Sequence, residues 1–397
     1  MSKELILQEQ QRTENVALTP PQADAIRAIA GVTISPSMRG NGLYDINPGS
    51  MVGTLELDGL SLEIVPKVPV NHLLFLVAYS ADPKTWRDTY STFTSSTYWH
   101  ESLIQSFLSL VKKVIVRGLM IGYRQEEESL PTIRGRILFD KLIKANAGTL
   151  FPIQLQFDEF TEDIEVNRVI RSALHVATSI RLRNALPQKQ ISSILREFSQ
   201  VGLTTYNQRN MPSFAFVSMS RDYRLAILTA LLILKHYSID RSGDEIQARS
   251  FLLDMNLLFQ DFVTTALREA LHVSERNFPG RQFDKELSLD QDNAIRLKPD
   301  LSWWSGRRCE FVGDVKYKKS EANQDYYQLL AYLTATNLNW GMLVYPDGEA
   351  QTQSYTIKSE HRRISTETVD LNKDPDEILA NIQTLADVIA THRRAAR

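Results

Sequence analysis

Residues 296–319 read RLKPDLSWWSGRRCEFVGDVKYKK, two apolar runs joined by the short polar turn WSGRR. A link that short allows the runs to return only as antiparallel neighbours. Strand alternation then puts Glu310, Val312, Asp314, Lys316 and Lys318 on one face and Phe311, Val315 and Tyr317 on the other. Asp300 lies on the preceding run, so the hairpin brings Asp300, Asp314 and Lys316 together at one sheet edge. Ionisable groups seldom sit in apolar strands without a partner or a purpose.

The set has a chemical use. Two carboxylates bind a hard Mg2+ ion through oxygen and leave water positions open. The ion is a Lewis acid and lowers the pKa of its water. A neighbouring lysine orients or deprotonates that water and offsets phosphate charge. These are the parts of phosphodiester hydrolysis. The plainer alternative is a solvent-facing salt bridge on an edge strand. Glu310, on the same predicted face, reads as a satisfied polar residue, and one of Trp303 and Trp304, which alternate faces, reads as core.

Other chemistries find little support. The single cysteine, Cys309, excludes an internal disulfide framework and argues against a thiolate zinc site. The seven histidines are scattered, without metal-ligand spacing, and no phosphate-binding G-x-x-x-x-G-K-[ST] loop occurs. The formal net charge of -2 means that any DNA contact must come from a local basic face. Arg307, Arg308, Lys318 and Lys319 are the candidates for phosphate contact. No run approaches the roughly 20 apolar residues of a membrane span, and the polar N-terminus lacks a signal core. The expectation is a soluble, cytoplasmic protein.

The 397 residues are enough for two or three domains. Thr19, Pro20 and Pro21 open a short capped helix over 19–30. Short alternating runs follow to residue 68, with a hairpin turn at Asp58-Gly59. The turns at Met38–Gly42 and Asn47–Gly53 are long enough to project. We divide the chain into a β-rich region over 1–82, a mainly helical middle over 83–245, and a last domain over 246–397. Within the middle, 123–142 reads as turn-rich, and Arg134 and Arg136 either as contacts to a partner or as internal pairs for Asp158, Glu159 or Asp163. In the last domain an amphipathic helix runs through FLLDMNLLFQDFVTTALREALHV. Strands follow at 286–290, 294–304 and 308–317, then a helix, the strand WGMLVYP, and a closing helix over 374–390. The order is α-β-β-β-α-β, and the fold class is mixed α/β.

Pro299-Asp300 with Asp314-Val315-Lys316 resembles the signature of PD-(D/E)xK nucleases, and Gln328 with Tyr332 in QLLAY resembles the Q-x-x-x-Y element of RecB-like members. MNLLFQDFV is similar to the M-N-x-L-F-E-x-F-V helix of McrC proteins. VGTLELDGLSLEIVPKV (52–68), Arg134-Gly135-Arg136, Asn167-Arg168 and DVKYK before DYYQLLAY fit the same family. The resemblance covers about 45 to 345, and the ordered set is far more specific than any one motif.

The resemblance implies an N-terminal β-rich and helical partner-binding region followed by a restriction-endonuclease-like αβββαβ core. It implies a Mg2+-dependent DNA endonuclease, with Mn2+ as a substitute, in which Asp300, Asp314 and the Val315 carbonyl hold the ion. Lys316 completes the catalytic set, and Gln260, Gln328 and Tyr332 line it. The substrate implied is double-stranded DNA, with methylation left open. The partner implied is a McrB-like AAA+ GTPase (or ATPase) ring that the β-rich region enters and stimulates. One departure is visible: Gln260 stands where the family helix carries glutamate, and Asp261 lies about 100° further round that helix. Two alternatives stay open: an activator or scaffold of the ring with weak or lost cleavage, and a stand-alone RecB-like repair nuclease.

Overall fold

A computed structural model describes residues 3–395 apart from 41, 94–97, 146–151, 183–184, 207–209, 215–218, 243–244, 283–284, 319–320, 348–351 and 359–361. The chain packs as two compact units, Met1–His100 with Ile239–Arg397, and Glu101–Ser238.

The first unit opens with β1 (Lys3–Gln8), β2 (Thr13–Ala17), α1 (Pro20–Arg27), β3 (Thr33–Pro36), β4 (Leu43–Asn47), β5 (Met51–Leu57), β6 (Leu60–Val65), α2 (Val70–Ala81) and α3 (Trp86–Tyr90). Helix α1 starts where expected. Thr19 accepts the Gln22 N–H, Gln22 reaches back to the Thr19 N–H, and two prolines fill the first turn. The predicted hairpin also forms, with Leu57 opposite Leu60 and Gly59 at φ 68°. Strands β2, β4 and β3 make a small sheet whose Ile46 meets Ile26, Leu55 and Leu62 in one core. Of the segment expected to project at 38–42, Met38 stands fully in solvent, and residue 41 lies outside the described residues. The turn over 47–53 packs inward instead of projecting: Ser50 is buried, and its hydroxyl donates to Asp254.

The second unit holds most of α4 (Trp99–Arg117), then β7 (Gly122–Leu130), β8 (Arg136–Ile137), α5 (Phe139–Ala145), β9 (Ile153–Thr161), α6 (Glu165–Ser179), α7 (Ala185–Glu197) and α8 (Arg221–His236). Here 123–142, read as turn-rich, supplies a long strand. GYRQEEESL pairs along its length with β9, and the partly buried side of the ladder rests on Leu155 and Phe157. Among the described residues Arg134 and Arg136 are not placed against the expected carboxylates: Arg134 lies over the Phe157 ring, and Arg136 stands opposite Gln156 in the β8–β9 ladder. Asp163 is held instead by Arg124 and Arg168. Asn167 is fully buried, donating to Met120 O and Glu162 O and accepting from the Tyr223 hydroxyl.

The chain then returns to the first unit through β10 (Tyr237–Ser242) and β11 (Glu245–Asp254), and α9 (Met255–Ala270) follows. Strand β11 pairs antiparallel with β5, giving a sheet of order β1-β6-β5-β11-β10. Residues 1–82 and 246–397, expected as separate domains, therefore share one unit. Phe251–Asp254, expected as the first turn of the helix, are strand. Asp254 then caps α9 by accepting the Asn256 N–H.

The last part comprises β12 (Leu301–Ser305), β13 (Arg308–Val315), α10 (Asn323–Thr336), β14 (Trp340–Pro346), β15 (Gln353–Thr356), β16 (Arg363–Val369) and α11 (Pro375–Ala395). The sheet order is β12-β13-β14-β16-β15, antiparallel at both ends and parallel from β13 through β16. Leu329, Tyr332 and Leu333 of α10 bury against Trp304, Cys309, Val312, Leu343 and Tyr345. On the other face, α11 stacks His392 on Trp340 and Arg393 on Trp303. Residues 286–290 are not a strand. Only Ser288 and Arg296 bridge, because Asp290 accepts the N–H groups of Ala294 and Ile295 and curls the chain on itself. A bulge moves Glu310 off its predicted face. Trp303 pairs with Phe311 and Trp304 with Cys309, so Glu310 is the extra residue and meets Arg393 of α11. Among the described residues no helix is long and apolar enough to cross a membrane.

Candidate active site

Asp300, Asp314 and Lys316 meet, as alternation predicts. Pro299 is buried and Asp300 stands just before β12. Asp314 is the penultimate residue of β13, and its side chain is 1% exposed. The Lys316 ammonium lies against Asp314 Oδ2. Asp300 Oδ1 accepts from Gln260 Nε2 at 2.6 Å, and Oδ2 accepts the Val315 N–H at 3.1 Å.

The electrostatics are those of two carboxylates sharing a dry corner. Burial and then the neighbouring Asp314 push the Asp300 carboxyl up to about 8. For Lys316, burial opposes the charge, but Asp314 and Asp300 outweigh it and its pKa is raised. Asp314 Oδ2 is buried, with the Lys316 ammonium against it. Desolvation of two carboxylates is thus only partly offset by one lysine, and a divalent cation would supply the missing charge. The donor set fits such an ion. The Lys316 N–H goes to Val344 O at 2.9 Å, so the Val315 carbonyl of that same peptide faces away from β14, toward β12 and Asp300.

Helix α10 closes the site. Lys316 Nζ donates to Gln328 Oε1 at 2.9 Å, Gln328 Nε2 donates to Tyr332 Oη at 2.7 Å, and the Tyr332 hydroxyl donates to Lys298 O at 3.1 Å. The i, i+4 spacing of Gln328 and Tyr332 puts both on the face turned to the sheet. Burial raises the Tyr332 hydroxyl pKa, so it stays a donor. The relay fixes the lysine head from the side opposite the carboxylates.

Helix α9 brings Gln260 to the site and turns Asp261 away, into an ion pair with Arg281 at 2.8 Å. Asp261 therefore supplies no third carboxylate. Among the described residues no group of three or more His, Cys, Asp and Glu side chains is placed to hold a metal ion. The oxygen set is two carboxylates and one carbonyl.

The expected phosphate contacts do not gather here. Arg307 and Arg308 lie in the turn at the far ends of β12 and β13, about 17 Å along the strands from Asp300. Lys318 pairs with Asp325 at 2.6 Å, and Lys319 lies outside the described residues. Both Trp303 and Trp304 are buried.

Sequence reading missed the groups that hold the site from outside. Tyr317 packs against Phe259 and is reached by Glu9 and Gln10, some 300 residues earlier. Ser50 bonds both Asp254 and Asn256 at the start of α9. The only signal was that alternation turns Tyr317 away from Lys316.

Three likenesses bear on this geometry. The chain is 24% identical over 251 residues to the type IV methyl-directed restriction enzyme EcoKMcrBC of Escherichia coli K12, which covers 58% of this chain and 72% of that protein. Its fold matches a chain in the refined half-complex from a tetradecameric assembly of Thermococcus gammatolerans McrB AAA+ hexamers with bound McrC. The TM-score is 0.58 at 15% identity, over 98% of this chain and 100% of the other. The family model described as "McrBC 5-methylcytosine restriction system component" matches residues 46–346, three quarters of the sequence. The chain belongs to that family.

Proposed function

We propose that this chain is a McrC-like endonuclease subunit whose PD-(D/E)xK site cuts double-stranded DNA with Mg2+. The observation that carries the reading is the buried Asp300–Asp314 pair, with Lys316 against one carboxylate and Gln260 on the other. Asp300, Asp314 and the Val315 carbonyl would hold the ion, with Mn2+ as an alternative. Bound there, the ion supplies Lewis acidity and a water of lowered pKa.

The chain's own groups do the rest. The Gln260 and Val315 N–H groups hold the two oxygens of Asp300 in place. Lys316, fixed by Gln328 and Tyr332, keeps its ammonium at the mouth of the site, where it orients the attacking water and offsets charge on the phosphate. Tyr332 stays protonated and holds Gln328 with its Oε1 toward the lysine.

The partner would be a McrB-like AAA+ ring. The solved assembly that this fold matches holds McrB AAA+ hexamers with bound McrC. The contact we assign is the β-rich start of the chain, where Met38 stands in solvent. Recognition of modified cytosine would then lie with the partner.

A second reading has one observation in its favour. Gln260 is neutral and Asp261 is turned away, so the site has two carboxylates and no third. The chain would then act mainly as an activator of the ring. Plasmid cleavage separates the readings, with the full chain, the AAA+ protein encoded beside it, that protein's nucleotide and Mg2+, on methylated and unmethylated DNA. Cleavage by the wild type that disappears in Asp314→Ala supports the nuclease. Intact DNA in both, with nucleotide hydrolysis still stimulated, supports the activator.

A further inference from the structure

Strand β13 ends at Val315, and Lys316 and Tyr317 follow it with side chains on opposite sides. Lys316 turns to the carboxylates. Tyr317 turns to α9, where its ring packs on Phe259 at 5.7 Å between centroids. The end of β1 then grips it twice. Gln10 Nε2 donates to the Tyr317 carbonyl at 3.0 Å, and the Tyr317 hydroxyl donates to Glu9 Oε2 at 3.4 Å. Glu9 Oε2 also accepts the Lys67 N–H at 3.0 Å, and the Lys67 ammonium meets Gln10 Oε1. The four residues close a ring between the N-terminal sheet and the residue that follows the lysine.

Two features show that this ring is built. Glu9 is 1% exposed, a carboxylate in the interior whose Oε1 has no hydrogen-bond partner. Gln10 has φ 57°, a left-handed conformation that a non-glycine residue keeps only where its surroundings impose it. The Gln10 N–H to Gly49 O bond at 2.8 Å and the Glu9 N–H to Val65 O bond at 3.0 Å impose it here. The same sheet holds the other wall of the site. Ser50, just before β5, bonds Asp254 and Asn256 at the start of α9, the helix that carries Gln260.

We infer that Tyr317 is a positioning residue, through which Glu9 and Gln10 set the placement of Lys316, so that the N-terminal sheet and the reaction centre move as one body. The inference rests on the nuclease reading. Lys316 is anchored on its other side, its backbone N–H on Val344 O and its head on Gln328, so a shift of Tyr317 strains both contacts. The Tyr317 carbonyl belongs to the 317–318 peptide; with that carbonyl, the ring and the hydroxyl all held, a shift of Tyr317 is carried as a whole through its Cα into the 316–317 peptide and so to the lysine. A load on the N-terminal sheet would thereby reach the site without crossing any hinge.

The test uses the full chain with its AAA+ partner, comparing Tyr317→Phe, Gln10→Ala and Glu9→Gln with the wild type. Tyr317→Phe keeps the ring and removes only the hydroxyl. Four quantities are read: stimulated nucleotide hydrolysis, kcat and KM for DNA cleavage, and the Mn2+ concentration at the midpoint of thermal stabilisation of the isolated chain. The expected result for Gln10→Ala and Tyr317→Phe is nucleotide hydrolysis within twofold of wild type, KM unchanged and kcat down roughly tenfold or more. The Mn2+ midpoint should shift severalfold, while Tyr317→Leu, a fourth variant that also removes the ring, should be worse than Tyr317→Phe in kcat.

Unchanged kcat and Mn2+ midpoint in all three variants would overturn the inference. So would losses that track melting temperature and fall equally on nucleotide hydrolysis, since those mark a merely structural role. If the wild type does not cut DNA, the nuclease reading fails separately. The Mn2+ midpoint then decides alone, and a midpoint unmoved by Gln10→Ala sinks the coupling.

Discussion

Gln260 donates its amide to Asp300 Oδ1 at 2.6 Å, so the residue that stands where the resemblance implies a glutamate is held against the candidate site. An amide there neutralises nothing, yet it fixes the carboxylate that burial has made hardest to ionise. Gln260→Glu would set a third carboxylate against the buried pair. Without divalent ions the added charge should cost about 2 kcal/mol of stability, a loss of several degrees in melting temperature. With Mg2+ the same charge should lower the metal concentration at half-stabilisation about tenfold. Melting curves in EDTA and across a Mg2+ titration read both effects. Equal curves for variant and wild type would mean that Gln260 does not face a cation site.

Glu9 predicts a pH dependence whose sign can be worked out. Burial is the main cause that lifts its carboxyl from 4.5 to about 7, and Asp254 adds to it; Lys67 and Tyr317 oppose. The folded protein therefore keeps a proton that the unfolded chain has already lost between those values. Stability from this group is fully present below about 4.5 and declines as pH rises through about 7. Other groups titrate in the same range, so the quantity to measure is the difference between wild type and Glu9→Gln. Denaturant unfolding from pH 4.5 to 8 should show the wild type losing ground to the variant as pH rises. A constant difference across that range would show that Glu9 is ionised throughout.

What could be read in the sequence was what local geometry decides. Thr19 with Gln22, the Asp58-Gly59 turn, and the alternation that joins Asp314 to Lys316 each depend on residues a few positions apart. Gln328 with Tyr332 is one helical turn, and it too formed as expected. The misreadings share a different cause. Glu310 changed face because a bulge opposite Trp303 and Trp304 inserts one residue, and nothing local announces a bulge. Phe251–Leu253 continue the apolar period of α9, so only their pairing with Val52–Thr54 shows them to be strand. GYRQEEESL is rich in glutamate, a weak strand former, and becomes a strand only because β9 lies beside it. The ring of Glu9, Gln10, Lys67 and Tyr317 spans almost the whole chain and leaves no motif at either end.

In the middle unit, Asp163 is the anchor to test. Its carboxylate takes Arg168 at 2.6 and 2.9 Å, the Gly202 N–H at 2.6 Å, and Arg124. Arg168 first, and the Gly202 N–H and Arg124 as well, hold the carboxyl far below the usual range. Asp163→Asn keeps the shape and removes the charge, leaving two half-buried guanidinium groups facing an amide. The loss should be about 2–3 kcal/mol, as for a set of charged hydrogen bonds. Because the folded pKa is depressed, the stabilisation is present above the unfolded value and is lost as pH falls toward the folded one. The variant should therefore differ from wild type at pH 7 and converge with it on strong acidification, by chemical denaturation. A loss that persists undiminished at low pH would mean that shape, not charge, is what Asp163 contributes.

Gly53 tests whether the N-terminal sheet and the site are one folding body. It lies in β5 at φ 129°, opposite Leu252 of β11, and a Cβ there would press into the backbone oxygen of Phe251. No rotamer change relieves that contact, because the obstacle is backbone on a paired strand. Gly53→Ala must either break the β5–β11 ladder or twist β5 into a conformation that alanine avoids, at a cost of about 3 kcal/mol or more. Strand β11 ends at Asp254, the cap of α9, so the damage should travel into Gln260. Hydrogen exchange on the variant should show faster amides in β5 and β11 and also in the first turns of α9, with β14 and β16 unaffected. Deprotection confined to β5 would show that α9 holds its place without the N-terminal sheet, and that the two parts fold as separate bodies.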